Sequence, residues 1–267
     1  MKKFRFDILF LTVAAICFGV YGIITWQNAA LAKNADEVRE RMQAVLSSAE
    51  ETADTPAYVS PYQNVFASNE DCIAWLQVPD TDIDYPVMLT PEDEEYYLYR
   101  NFFGEADKNG TLFLDTDCDL TRERGNLIIH GHHMKSGAMF GTLDQYADAD
   151  YAKEHSQIYL YTPDEVRVYE VIAAFNAKVY KGKTDQFRYY AYFGFDEPKT
   201  FDVYYENIKK ISMYDTGVTA EYGDAFITLS TCAYHTKNGR FAVVGKLLFR
   251  QDFALTDESV RKCAAAK

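Results

Sequence analysis

The stretch Ile227–Phe249, ITLSTCAYHTKNGRFAVVGKLLF, contains two apolar strands separated by a short polar loop. The first strand ends at Cys232 and the second begins near Arg240. Asn238-Gly239 is a strong turn signal, so the strands are expected to pair antiparallel and to bring thiol and guanidinium together. A cation beside a cysteine favours the nucleophilic thiolate. The alternative is that Arg240 is an ordinary solvated residue at the end of a strand.

A second apolar segment, residues 126–133 (NLIIHGHH), ends in histidines. A cysteine nucleophile needs a base or a charge partner, usually a histidine that the fold brings to it. Gly131 would let the chain bend out of the strand just before His132. This favours His132 as the partner of Cys232, and His133 stays open as the alternative.

A metal site is the competing interpretation of these residues. His130 and His132 lie two apart and share one face of a strand, and Cys232 could complete an N/N/S ligand set that zinc accepts. A fourth ligand at short spacing is missing from the sequence. We therefore expect neither a metal nor another cofactor.

Eight short segments rich in β-branched and aromatic residues are expected to form strands, which predicts a mainly β protein built on a β-barrel. In chain order they are CIAWLQVP, IDYPVMLT, TLFLD, NLIIHGHH, QIYLY, EVRVYEVIAAFNAKVY, AFITLSTC and FAVVGKLLF.

Few helices interrupt the predicted barrel. A short one is expected around residues 138–146 and a longer one at 200–211 (TFDVYYENIKKI). In the longer helix the spacing of Val203, Ile208 and Ile211 predicts that these residues face the core while two lysines face water.

The amino-terminal region contains Ile8–Trp26, nineteen residues without a charge, which is long enough to span a bilayer as a helix. Lys2, Lys3 and Arg5 precede it, so the positive-inside rule predicts a cytoplasmic start and an extracellular remainder. The alternative is a signal peptide cleaved near residues 30–32, but the apolar run exceeds the usual length of such segments. The prediction is an uncleaved anchor in the cell membrane.

Between anchor and barrel, residues 34–48 predict a stalk helix. Asn34 is a suitable N-cap, and Val38, Met42 and Val45 share one face that could pack on the domain. Residues 49–64, with two prolines and no periodicity, predict a linker.

The chain is therefore expected to have five parts. They are a cytoplasmic tail (1–7), a transmembrane anchor (8–26), a stalk helix with its linker (27–68), a catalytic barrel (69–253) and a polar tail (254–267).

The overall composition restricts the classes of function. A net charge of −13 and a pI near 4.8 disfavour a surface for nucleic acid, which needs clustered Lys and Arg. The hydrophobic content of 48% supports one sizeable core.

The sequence contains five cysteines. Cys17 lies in the apolar span and Cys263 in the polar tail, which leaves an odd number in the barrel. An odd cysteine in an exported protein suggests a free thiol. Cys72 and Cys118 are expected to be small buried hydrophobes, so Cys232 remains as the reactive one.

These features together resemble the sortases, membrane-anchored cysteine transpeptidases of Gram-positive bacteria, and class B most of all. The resemblance covers about residues 69–249. It is carried by WLQVPDTDIDYPVM (75–88), GTLFLD (110–115), GNLIIHGHHMKSGAMFGTL (125–143), the helix at 200–211, and TLSTC with the downstream arginine.

The resemblance implies an eight-stranded barrel in which the strand before the histidine and the strand bearing the cysteine lie side by side. It implies that Cys232 is the nucleophile, that His132 is the catalytic histidine, and that Arg240 steadies the substrate carbonyl or oxyanion.

The reaction implied is cleavage of a C-terminal sorting signal after Thr, through a thioacyl intermediate. The substrate would be an exported surface protein or a pilin, and the acceptor an amine from a peptidoglycan precursor or another protein. Two alternatives stay open: a cysteine peptidase without transfer, and a ligand-binding surface barrel without enzymatic activity.

The chain departs from the class B pattern at two positions. His130 stands where the family often has Tyr, and Glu94 stands at an Asn position of the motif beside the groove, so the sorting signal is expected to differ. Ser230, on the same side of its strand as Cys232, is a further groove candidate. Thr231 and Leu98 complete the expected substrate-binding residues.

The first prediction concerns the anchor. Deleting residues 1–32 is expected to give a soluble, folded and active domain, because all strands and motifs lie beyond Asn69. Thermal unfolding of the truncated protein tests this, and loss of a cooperative transition would contradict it.

Overall fold

A computed structural model of the chain describes residues 2–47, 60–182, 184–233 and 236–253. Eight strands close into a barrel in the order β1-β2-β3-β4-β7-β8-β6-β5, which confirms the predicted fold class. The strands are β1 (Cys72–Gln77), β2 (Asp84–Met88), β3 (Leu112–Leu114), β4 (Asn126–Gly131), β5 (Gln157–Tyr161), β6 (Glu165–Lys178), β7 (Phe226–Ala233) and β8 (Gly239–Asp252). Each lies within or overlaps one of the eight predicted segments.

The pairing of β4 with β7 is parallel, and it joins strands about a hundred residues apart. β7 then pairs antiparallel with β8, and β8 pairs antiparallel with the long strand β6. Because a parallel pair needs a crossover connection, β5, β6 and the helical segment after them all lie between β4 and β7 in the chain.

Residues that alternate along the strands fill the inside of the barrel. Leu127 and Ile129 of β4 and Ile227 and Leu229 of β7 are buried in this interior cluster. Side chains at the intervening positions point to the outer face, as strand geometry requires. His130 is one of these, so its side chain belongs to the outside of the barrel.

The outer face carries two further apolar clusters. One contains α4 (Pro198–Ile211), which packs through Phe201, Tyr204 and Ile208. The prediction that Val203 and Ile211 face the core is wrong, because these side chains are 39% and 36% exposed. The residues that pack are spaced i, i+3 and i+7, and Val203 lies to one side of that stripe.

The other helices differ in detail from the predictions. The one expected around 138–146 is a 3₁₀ turn at Leu143–Ala147, followed by α3 (Ala149–Glu154). Asp148 caps α3 by accepting hydrogen bonds from two backbone N–H groups, and such a cap fixes where a helix starts. A short helix, α2 (Gln63–Ser68), lies at the end of the predicted linker.

The anchor and the stalk form one helix, α1 (Lys2–Ser47). Asn34 therefore lies inside a helix and is not an N-cap. The predicted packing face is confirmed, since Met42 is buried and Val38 and Val45 pack with it against the barrel. Among the described residues, α1 is the helix long and apolar enough to cross a membrane.

Parts of the predicted organisation fall on residues that the structure does not describe. The polar tail at 254–267 lies outside the described residues, as does most of the linker, residues 48–59.

The corrected face of α4 leads to a stability prediction. Ile208→Ala is expected to lower the free energy of unfolding by about 2–5 kcal/mol, because it leaves a cavity at a fully buried position. Val203→Ala is the matched control on the same helix and is expected to cost less than about 1 kcal/mol. Chemical denaturation measures both, and equal losses would contradict the assignment of the buried face.

Candidate active site

Cys232 and Arg240 lie directly opposite each other on the antiparallel strands β7 and β8. A turn after β7 makes this possible: the Gly239 N–H donates to the Thr236 carbonyl at 3.0 Å, and Asn238 has a φ of 59°. Asparagine tolerates this left-handed conformation better than most residues. The expected antiparallel pairing of the two strands, with Cys232 opposite Arg240, is therefore confirmed.

His132 reaches the same end of the sheet from β4. The last pair in the parallel ladder of β4 and β7 is Gly131 with Thr231, and the residues that follow these two in the chain are His132 and Cys232. Strand alternation directs the Cys232 side chain to the outer face, and Arg240 shares that face. We name these three half-buried residues the catalytic row.

The imidazole of His132 is held by a backbone group. Its Nε2 lies 2.7 Å from the carbonyl oxygen of Leu98, and its ring lies 5.3 Å from the ring of Tyr99. A carbonyl only accepts hydrogen bonds, so Nε2 carries the proton in this pair. Nδ1 is then the ring nitrogen left for proton transfer at the catalytic row.

Gly110 makes room for that carbonyl. A Cβ at this position would lie 2.3 Å from the Leu98 oxygen, and the φ of Gly110 is +63°, which side chains rarely adopt. Sequence analysis missed Gly110, and the available signal was a glycine directly before a predicted strand. Any side chain here would push away the group that orients His132.

Each of the three histidines at positions 130, 132 and 133 has a different partner. His130 Nε2 lies 3.2 Å from Asp115 Oδ2, and His133 Nε2 lies 3.4 Å from Asp144 Oδ2. His132, the one that contacts Leu98, directly follows the last residue of β4, whose register partner Thr231 directly precedes Cys232. The three imidazoles therefore differ in the group that each one contacts.

Gly131 is the last residue of β4, so the chain leaves the strand directly before His132. The glycine also serves close packing inside the barrel. A Cβ there would lie 2.4 Å from Leu112 Cδ2 and 2.7 Å from a ring carbon of Phe140.

Ser230 and Thr231 lie beneath the surface. Thr231 donates its hydroxyl hydrogen to the Gly131 carbonyl at 2.8 Å and is 2% exposed. Ser230 is 1% exposed, and its Oγ lies 2.7 Å from the hydroxyl of Tyr189. Both side chains support the site from below instead of lining an open groove.

Tyr189 is a second residue that sequence analysis missed. It is buried, burial raises its pKa to about 12, and its hydrogen bond to Ser230 and the charge of Arg240 act in the opposite direction. The phenol therefore stays protonated near the catalytic row. Its signal in the sequence, the aromatic run FRYYAYF (187–193), gave no indication of which ring would turn inward.

Glu94 lies before a 3₁₀ turn at Tyr96–Tyr99, and Leu98 lies within that turn. A Glu94 carboxylate oxygen accepts a hydrogen bond from the Thr116 hydroxyl at 3.0 Å. Leu98 contributes its backbone carbonyl to the catalytic row through His132.

The zinc ligand set considered from the sequence, His130 with His132 and Cys232, is not assembled. Within the described residues His130 groups with Glu94 and Asp115 instead.

Comparison with known proteins shows the family to which the chain belongs. A family model described as the sortase domain matches residues 76–248. Sortase B of Listeria monocytogenes is 35% identical over 185 residues, which cover 67% of this chain and 71% of the relative. A crystal structure of sortase B from Bacillus anthracis has a TM-score of 0.67 at 28% identity and covers 81% of this chain and 99% of its own. Sortase B of Staphylococcus aureus is 24% identical over 93% of this chain and 98% of its own.

The fold is that of a cysteine transpeptidase barrel. The chain belongs to the sortase family, and its relatives identify it as class B within that family.

Two other cysteines of the barrel, Cys72 and Cys118, have thiols with a raised pKa. Cys72 is buried and Cys118 is half-buried, and burial raises the pKa of each thiol to about 12. For Cys118, nearby carboxylates including Asp115 add to the effect.

These pKa values predict the pattern of alkylation. A thiol with a raised pKa forms thiolate only as the pH approaches 12, so Cys72 and Cys118 are expected to resist iodoacetamide at pH 8 in the folded protein. Cys232 is expected to be modified under the same conditions. Mass spectrometry of the digested protein gives the extent at each residue, with protein alkylated in denaturant as the control. Faster modification of Cys118 than of Cys232 would contradict this assignment.

Proposed function

We propose that the protein is a membrane-anchored sortase that cleaves a C-terminal sorting signal after Thr and transfers the acyl group to an amine. The observation that carries the proposal is the catalytic row, in which β4, β7 and β8 present an imidazole, a thiol and a guanidinium at one end of the sheet. Cys232, His132 and Arg240 are the residues to which we assign the chemistry.

In the first half of the reaction the Cys232 thiolate attacks the carbonyl carbon of the Thr after which the signal is cleaved. His132 then gives its proton to the nitrogen of the leaving amine, the C–N bond breaks, and a thioester remains on Cys232. In the second half an incoming amine attacks the thioester, loses a proton to His132, and expels the thiolate. The cysteine and the histidine thus return to their starting protonation states.

Arg240 is suited to stabilise the charge that develops on the carbonyl oxygen. Its guanidinium stands across from the thiol on the neighbouring strand, and Nη1 already donates to the Gly239 carbonyl at 3.1 Å. A fixed cation at such an oxyanion is worth about 3 kcal/mol in the transition state. A lysine would supply the charge without the planar set of donors.

Substrate contact is proposed for Glu94, Leu98 and His130, which flank the catalytic row on the side of β3 and β4. Ser230 and Thr231 are proposed to act through their hydrogen bonds to Tyr189 and Gly131. A carboxylate and an imidazole beside the groove favour a sorting signal with polar or basic groups at the positions they contact.

The cellular setting of the proposal follows from α1. Its apolar part would anchor the barrel in the cell membrane with the amino terminus in the cytoplasm, and the barrel would meet surface proteins or pilins outside. The acceptor would be an amine of a peptidoglycan precursor or of another protein. Domain boundaries at residues 7, 26, 68 and 253 are part of this proposal.

The test uses a library of C-terminal sorting-signal peptides and an excess of amine acceptor. Cys232→Ala is expected to abolish cleavage and to leave thermal unfolding unchanged, since the loss of one sulfur at a strand end leaves little cavity. Cys72→Ala and Cys118→Ala are the controls and should stay within a few-fold of wild type. Ligated product distinguishes transfer from simple hydrolysis, and hydrolysis alone would contradict the proposed transfer.

A separate prediction compares the three histidines with one cleavable peptide. His132→Ala is expected to lower kcat/KM by at least about 10³, the loss typical of a missing acid-base group. His133→Ala is expected to cost much less, because its partner is Asp144, and His130→Ala is expected mainly to raise KM. A larger loss for His133→Ala than for His132→Ala would overturn the assignment.

A further inference from the structure

One group of side chains beside the catalytic row has the composition and spacing of a metal site. Glu94 lies before the turn at Tyr96–Tyr99, Asp115 directly follows β3, and His130 lies in β4. One ligand atom from each of the three lies within 4.8 Å of the others. We propose that Glu94, Asp115 and His130 bind a divalent transition-metal ion, with zinc the best fit.

Charge is the first argument for a bound cation. Asp115 is buried, and in the part of the chain that the structure describes no lysine or arginine forms an ion pair with it or with Glu94. Placing a buried carboxylate beside a second one is costly unless a cation compensates.

Spacing is the second argument. Two ligands bound to one tetrahedral zinc at 2.0–2.1 Å are about 3.3 Å apart. His130 Nε2 and Asp115 Oδ2 are already 3.2 Å apart. An ion can therefore take the place of the proton that these atoms now share, and that proton would pass to solvent.

The surroundings hold the ligands in these positions. The backbone N–H of Asp117 donates to Asp115 Oδ1 at 3.1 Å, and the Thr116 hydroxyl donates to Glu94 Oε2 at 3.0 Å. The ring of His130 lies 5.4 Å from that of Phe113. Such outer contacts orient the ligands of metal sites and raise their affinity.

The donor set selects among ions. One imidazole and two carboxylates suit zinc or manganese, whereas calcium takes six to eight oxygens and magnesium prefers oxygen ligands and water. A tetrahedral zinc would keep one position for water. The site uses none of His132, Cys232 or Arg240, and it shares Glu94 and His130 with the proposed substrate contacts.

The test is a calorimetric titration of the full-length protein in detergent micelles with zinc chloride, with manganese, calcium and magnesium chlorides in parallel. One zinc ion per chain with micromolar or tighter affinity is expected. Glu94→Gln and Asp115→Asn should each weaken binding about 10- to 100-fold. Asp117→Asn is the matched control, because its exposed carboxylate is adjacent to the cluster and not part of it.

Cys232→Ala distinguishes this site from zinc captured by the catalytic thiol, and it should leave the affinity unchanged. Absence of saturable zinc binding below about 1 mM would overturn the proposal. So would wild-type affinity in Glu94→Gln, or loss of binding in Cys232→Ala. Glu94→Gln alters a half-exposed side chain, so it decides the matter even where Asp115→Asn fails to fold.

Discussion

The parallel pairing of β4 with β7 is the constraint on which the catalytic row depends. Six register pairs join the strands, from Asn126 with Phe226 to Gly131 with Thr231. Side chains add to the ladder, because the Thr231 hydroxyl donates to the Gly131 carbonyl and the Thr228 hydroxyl donates to the Asn126 side chain. A slip of one residue would turn every side chain of one strand to the opposite face and would separate the imidazole from the thiol.

The row also depends on being outside the barrel. The interior is a closed apolar cluster, while the outer face beside the row is covered on one side by α4 and on the other by α1 with its neighbours. Buried hydroxyls such as those of Ser230 and Tyr189 fix the base of the site. Reactive groups therefore stand on packed strands while one side stays open, an arrangement that gives both accurate positioning and access for a peptide.

Sequence was sufficient for the strands and for the meeting of Cys232 with Arg240. Strand composition is local, and the Asn238-Gly239 turn fixes the register of the following strand without help from the rest of the chain. The pairing of His132 with Cys232 is not local, and from the residues alone His133 remained possible. The family resemblance favoured His132, and the register of β4 with β7 agrees with that choice.

The features that sequence did not predict have separate physical causes. Leu98 contributes a backbone carbonyl, and Gly110 contributes the absence of a side chain, so neither residue type indicates its role. The buried face of α4 was misassigned because aromatic residues with polar tips, such as Tyr204, bury as well as aliphatic ones. Asn34 was taken as a helix start because its capping preference is local, whereas α1 continues through it.

Because α1 is one continuous helix, the stalk is a helical spacer with a fixed length and a fixed rotation, and not a flexible linker. A helix advances 1.5 Å and turns about 100° for each residue. Met42 packs this helix against the barrel. Under the proposed anchoring, the segment after Trp26 therefore sets how far the substrate site lies from the membrane. From Trp26 to Met42 the helix axis extends about 24 Å. One residue added to that segment would barely change this distance but would turn the groove by more than a quarter of a circle. The direction from which a membrane-held substrate can approach is thus set by a residue count.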